Sequence, residues 1–362
     1  MNITEMNRDS LIPLKKYKTF GEIQDAPIIS AIQCITRMKP SNEKEFLSNW
    51  LFTNHYLNKK RSGSLTDRIK NFNNKICFNH LCKEYFNGFD INKCISNIIL
   101  PKKATDIIKK LNLIQGSLTG TYIDYLMRRI ISEINHSDFN DNRTNTILNK
   151  NKNKIIYTEN GHVCSLGCKC IIESDNCWQY TQCRLNYCQY ESYNKVKNTE
   201  KYKIKDTIVD IFIISLCHSE CFGGCPNQDK VELILKEITN VNFYDDFIIP
   251  LYEYCNKLIL NKKEIHLNPI LGSSKNMIPA DCDLIIDDML IDIKCTKGIN
   301  TISEILQLLG YSSLNLDFIP IYGIPIKQIS IINILEGVEY IYDISNISKA
   351  SLLDYLILLQ DK

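Results

Sequence analysis

The stretch ADCDLIIDDMLIDIKC, residues 280–295, sets Asp283, Asp292 and Lys294 among runs of Leu and Ile that read as buried strand. Taking such charges out of water carries a large desolvation cost that partners must offset. Two readings follow: the charges stand at strand ends in water, or they hold a metal ion. With Asp287-Asp288 as the turn, the stretch becomes a symmetric hairpin. Ile286 then opposes Met289, Ile285 opposes Leu290, Leu284 opposes Ile291, and Asp283 opposes Asp292. Directly opposed residues have Cβ atoms roughly 4.5–5.5 Å apart, so two carboxylates there repel unless a cation lies between them. Asp-Asp is not the preferred two-residue turn, and a bulge would shift this pairing. Because side chains alternate along a strand, Asp292 and Lys294 share one face. Leu284, Ile286, Ile291 and Ile293 share the other and are expected to enter a core.

Two carboxylates and a lysine on one face suit phosphodiester hydrolysis. Hard oxygen donors suit Mg²⁺ or Mn²⁺. Such an ion polarises the phosphate and offsets the charge that develops on it. Lys294 would orient the attacking water or stabilise that charge. Asp281 is a near alternative to Asp283, two residues from the paired position.

The rest of the chain places this hairpin in context. Its 362 residues suffice for one large domain or two ordinary ones. A hydrophobic content of 44% with 23% charged residues is that of a soluble globular protein. The opening residues, MNITEMNRDSLIPLKKYKTF, contain no apolar signal-peptide core, and no apolar run is long enough to span a bilayer. An intracellular protein with no membrane partner is expected. Residues 1–150 hold 23 Lys and Arg against 14 Asp and Glu, while the remainder holds 20 against 27. The basic half either follows a phosphate backbone or forms ordinary solvated helix faces.

Residues 1–118 read as a basic, mainly helical region. TGTYIDYLMRRIISEINH, 119–136, has Ile123, Met127, Ile130, Ile131 and Ile134 at helical spacing. Residues 140–225 comprise a polar linker and a cysteine-dense insertion, and residues 226–362 return to regular periodicity. TISEILQLLGYSSL (301–314) reads as a helix, QISIINI and VEYIYDI as strands, and SKASLLDYLILLQ as a terminal helix. The order suggests an α/β core, a mixed central sheet flanked by helices.

Three motifs then resemble one family. Asp283, followed nine residues on by Asp292, Ile293 and Lys294, resembles the signature of the PD-(D/E)xK nuclease superfamily. QLLGY, with Gln307 and Tyr311, resembles the QxxxY motif of its RecB-like branch, and the i, i+4 spacing puts both on one helix face. GTYID, Gly120 to Asp124, resembles the GxxxH or GxxxE motif of the first core helix. Asp stands at 124 where the family more often has His or Glu. The resemblance covers about 119–136 and 264–345. It implies a restriction-endonuclease-like core and metal-dependent cleavage of DNA, exonucleolytic or end-processing. Asp283, Asp292 and Lys294 would be catalytic. Asp124, Asp283, Asp292 and the carbonyl of Ile293 would hold Mg²⁺ or Mn²⁺, and Gln307 and Tyr311 would position the nucleic acid. DNA is the expected partner, with a helicase or a replication or repair protein as a further candidate. The alternative is a zinc-containing nucleic-acid- or protein-binding module on an inactive nuclease-like core, and a hydrolase of another phosphodiester is a third reading.

Cysteines fall at Cys164, Cys168, Cys170, Cys177, Cys183, Cys188, Cys217, Cys221 and Cys225, with His162 and His218 beside them. Nine thiols and two imidazoles suffice for two tetrahedral zinc sites. The spacings do not match the C-x2-C ribbon pattern, so the ligand set stays open. Zinc as a staple of this small insertion is the leading expectation. An iron–sulfur cluster within 164–225 is the rival. The cluster arrangement of some RecB-like nucleases needs cysteines beyond QxxxY, and the last cysteine here is Cys295. Disulfides rank last without an export signal.

Overall fold

The computed structural model describes residues 65, 68–69, 78–137, 139, 155–158, 161–164, 169–170, 192–221, 228–271, 280–299, 301–317 and 325–360. They fall into two compact units, one within 109–252 and one formed by 54–108 with 253–362. In chain order the elements begin with α1 (Phe78–Glu84), β1 (Ile95–Ile98) and α2 (Lys102–Ile134). A small sheet follows, β2 (Ile155–Thr158), β3 (Gly161–Cys164) and β4 (Lys169–Cys170), then α3 (Ile204–Cys221), α4 (Gln228–Ile238) and α5 (Ile249–Ile259). The last third holds β5 (Ile265–Leu267), β6 (Ile270–Leu271), β7 (Ala280–Asp281), β8 (Leu284–Ile286), β9 (Met289–Lys294), α6 (Thr301–Asp317), β10 (Gln328–Asn333), β11 (Val338–Asp343) and α7 (Lys349–Gln360).

The hairpin forms in the expected register, with Leu284 opposite Ile291, Ile285 opposite Leu290 and Ile286 opposite Met289. Asp287 takes φ of 51°, the left-handed region that Asp visits more readily than most residues. Its carboxylate accepts from the backbone N–H groups of Lys263 and Glu264, both at 3.0 Å. Asp288 pairs with Lys327 at 3.1 Å. Each turn aspartate therefore ties the hairpin to a neighbouring strand, which compensates for an unfavoured turn sequence.

The sheet order is β1-β11-β10-β9-β8-β5. Within it β10 runs parallel to β9, and the other neighbours are antiparallel. Parallel neighbours need a crossover, and α6 supplies it. The apolar face of α6, with Ile305, Leu306, Leu308 and Leu309 buried, joins Ile285, Leu290, Ile329 and Ile331 of the sheet and Leu352, Tyr355 and Leu356 of α7 in one core. This is the α/β architecture the sequence suggests, a mixed sheet flanked by helices. Two strands of the main sheet were not anticipated: β1, which lies inside the span read as mainly helical and pairs with β11, and β5, which pairs with β8. No helix among the described residues is long and apolar enough to cross a membrane.

In the unit within 109–252, α2 breaks at Gln115, which has extended φ/ψ of −158° and 93°. Beyond the break, Arg129 is fully buried and donates to Glu133 at 3.0 Å and to the carbonyl of Tyr202. Glu133 accepts in turn from the Ile204 N–H at 2.7 Å, capping α3 with a negative charge at the positive end of its dipole.

On the face of the main sheet opposite Asp292, Glu339 is buried and accepts from the Ser330 hydroxyl at 2.8 Å. Burial raises its carboxyl pKa, and its polar neighbours Ser330, Tyr254 and Asn97 pull it only part of the way back. The folded state therefore binds this proton more tightly than the unfolded chain. Stability from this group is full below the unfolded pKa of about 4.3 and is lost as pH rises through the folded value. Glu339→Gln keeps the hydrogen bonds without the titration. Urea unfolding of both proteins should show the variant gaining on wild type as pH rises from 4 to 7, and a constant difference would refute the assignment.

Candidate functional site

Asp283 lies one residue before β8, directly beyond the Leu284–Ile291 pair. Its Oδ2 accepts from the Ile293 N–H at 2.7 Å, so the carboxylate lies along β9 next to Asp292. Asp292 is 4% exposed. Lys294 Nζ stands 2.8 Å from Asp292 Oδ2 and 3.1 Å from Glu304 Oε2, on the first turn of α6. Asp292 and Lys294 thus occupy the carboxyl end of β9, where open α/β sheets bind ligands. Asp281, on β7, accepts from the Asn268 side-chain amide at 3.0 Å. The same amide donates to the Cys282 carbonyl, and the Asn268 backbone N–H donates to that of Asp283. Asn268 takes φ of 46° to do so.

Charge makes this one site. Burial first, then the negative charges of Asp292, Asp281 and Asp283, push the Tyr311 phenol well above its ordinary pKa. The Cys282 thiol is raised by burial and by the same three aspartates, so it stays protonated and is no nucleophile. Burial by itself would lower the Lys294 pKa, but Asp292 and Glu304, with Asp283 behind them, overcome it and hold the ammonium protonated. Lys294 is therefore a fixed cation, suited to stabilising charge rather than to accepting a proton. Gln307 Nε2 donates to the Tyr311 hydroxyl at 2.7 Å across one turn of α6. Tyr311 is only 7% exposed, so its phenol addresses the carboxylates rather than an open surface.

Asp124, expected in the same site, belongs to the unit within 109–252. There Arg128 holds both of its oxygens, Nε to Oδ1 at 2.9 Å and Nη2 to Oδ2 at 2.6 Å. The Arg128 side chain is almost fully buried and lies over the Tyr125 ring. A cation at Asp124 would share the carboxylate with Arg128, whose positive charge opposes it. Among the cysteines, Cys164 lies on β3, Cys170 on β4 opposite His162, and Cys217 and Cys221 on α3. Cys168, Cys177, Cys183, Cys188 and Cys225 lie outside the described residues.

The donors that come together, Asp283 and Asp292 with Asp281 and Glu304 nearby, are hard oxygens and fit Mg²⁺ or Mn²⁺ in kind. They do not form a closed cage: among the described residues, no three His, Cys, Asp or Glu side chains are grouped to hold a metal. An ion of this type ordinarily keeps several waters and shares the substrate's phosphate, so two protein carboxylates fit it. Glu304 and Asn268 were missed in the sequence. Glu304 precedes Gln307 by three residues and Tyr311 by seven, which places it on their helix stripe. Compared with family models, curated proteins and solved structures, the chain matches none.

The Arg128 pair gives a direct test. Asp124→Asn takes a charged partner from a buried guanidinium and should cost about 3 kcal/mol, the low end for a broken buried pair because Asp124 is partly exposed. Urea unfolding at neutral pH measures this. Unchanged stability would mean that other groups carry the Arg128 charge.

Proposed function

We propose that the chain is a metal-dependent deoxyribonuclease of the RecB-like PD-(D/E)xK kind. One observation carries this reading. Asp283 and Asp292 are neighbours across a hairpin, with Lys294 two residues on at the carboxyl end of β9. The α6 crossover beside them carries Gln307 and Tyr311 in contact. Asp283 and Asp292, with the Ile293 carbonyl between them in sequence, would hold Mg²⁺ or Mn²⁺. The ion would supply electrophilic activation and neutralise charge at the scissile phosphate. Lys294 places a permanent positive charge beside that phosphate. Tyr311 and Gln307 supply neutral hydrogen-bonding groups that fix the carboxylate side of the site. The excess of Lys and Arg in residues 1–150 supports a polyanionic substrate. Zinc in the cysteine-rich insertion would be structural.

A second reading, a nuclease-like core acting in binding without cleavage, is favoured by the Arg128 grip on Asp124. Incubation of wild type and Lys294→Ala with linear single-stranded, linear duplex and circular DNA in Mg²⁺ or Mn²⁺ separates the two. Hydrolysis is expected in wild type and should fall by roughly 10²-fold or more in the variant, the scale of losing one charge-stabilising group. Sparing of circles would mark end-dependence. A folded wild type that leaves all three substrates intact would favour the binding reading.

A further inference from the structure

We propose that Glu304 is a positioning residue that shares the Lys294 ammonium with Asp292, so that Asp292 is not its sole counter-ion; the proposal rests on the nuclease reading. Lys294 Nζ lies between two carboxylates from different elements, Asp292 Oδ2 at 2.8 Å on its own strand and Glu304 Oε2 at 3.1 Å on α6. A lysine ammonium offers three donors on a long stem with several rotatable bonds. With one partner it would settle wholly on that partner. Asp292 is two residues away on the same strand face, so it is the near partner.

An Asp292 fully committed to Lys294 would be a poor cation ligand and a poor neighbour for a phosphate. Glu304 lessens that conflict by taking a share of the ammonium. It sits in the first turn of α6, where a carboxylate is favoured by the helix dipole. Its backbone is fixed by the buried helix turn that contains Ile305 and Leu306. Both ion pairs are half-buried or deeper, with Lys294 and Glu304 each 21% exposed, so solvent screens them only partly. The clamp also spans the two halves of the site. It ties the strand that carries Asp292 and Lys294 to the helix that carries Gln307 and Tyr311.

The experiment is a double-mutant cycle on the full chain: wild type, Glu304→Gln, Lys294→Ala and the double variant, with Glu304→Asp as the conservative control. Cleavage of linear DNA is followed as kcat, KM and half-saturating Mg²⁺, and urea unfolding midpoints are taken for the same proteins. Glu304→Gln should lower kcat by about tenfold or more, as small misplacements at reacting centres do, with KM within about twofold. Half-saturating Mg²⁺ should rise, because Asp292 is drawn to Lys294. Glu304→Asp should recover part of the rate. In the Lys294→Ala background, Glu304→Gln should cost nothing further, and the unfolding midpoints should be non-additive. A wild type without metal-dependent cleavage overturns the nuclease reading and this proposal with it. An active wild type whose Glu304→Gln variant keeps full kcat, or loses the same factor with and without Lys294, overturns the clamp alone. Additive midpoints overturn the contact itself.

Discussion

The register of the β8–β9 hairpin is the constraint on which the rest depends. Side chains alternate strictly along a strand, so a slip of one residue would carry Asp292 and Lys294 to the far face of the sheet. The register is fixed at the turn. Asp287 accepts a left-handed conformation and is held by two backbone amides from the chain entering β5, while Asp288 is held by Lys327 at the start of β10. The turn residues, with the buried faces of both strands, thus govern which side chains meet at the opposite end.

That end is a mutual compensation of charges. Asp292 is nearly excluded from solvent, a position that carries a large penalty for an isolated ion. Lys294 meets it, Glu304 meets Lys294, and Asp283 is bound by a backbone amide. The neutral groups are as informative. Cys282 and Tyr311 are buried beside the same aspartates and are thereby kept protonated, so negative charge in this corner is confined to the carboxylates. The Cys282 thiol, held protonated, adds no negative charge to this corner.

Much of this was legible in the sequence, for physical reasons. The alternating pattern around a two-residue turn admits one symmetric alignment, which is the one found. The helix-period stripes of α6 and α7 and the apolar runs of β10 and β11 are long enough to be unambiguous. Other features were not. The four residues of β1 are exposed and carry no period-two signal, and only their pairing with β11 makes them a strand. Glu304 belongs visibly to the Gln307–Tyr311 stripe, but nothing in one helix tells which strand lysine lies beneath it. The partner of Asp124 was legible as well: Arg128 stands four residues on, the spacing at which a helix pairs opposite charges. Asn268 depends on a backbone conformation that composition does not announce.

The pairing of β1 with β11 has a consequence for biosynthesis. Ile95 pairs with Ile341, so the ribosome makes one edge of the main sheet about 240 residues before its partner. At synthesis rates of roughly 5–20 residues per second, that edge waits on the order of ten to fifty seconds for its neighbour. The residues made in between include the whole unit within 109–252, which is complete in the emerging chain before the main sheet closes. Ile95 and Ile98 are still exposed in the folded protein. During that interval the backbone groups of Ile95–Ile98 lack the ladder partner they have in the folded protein.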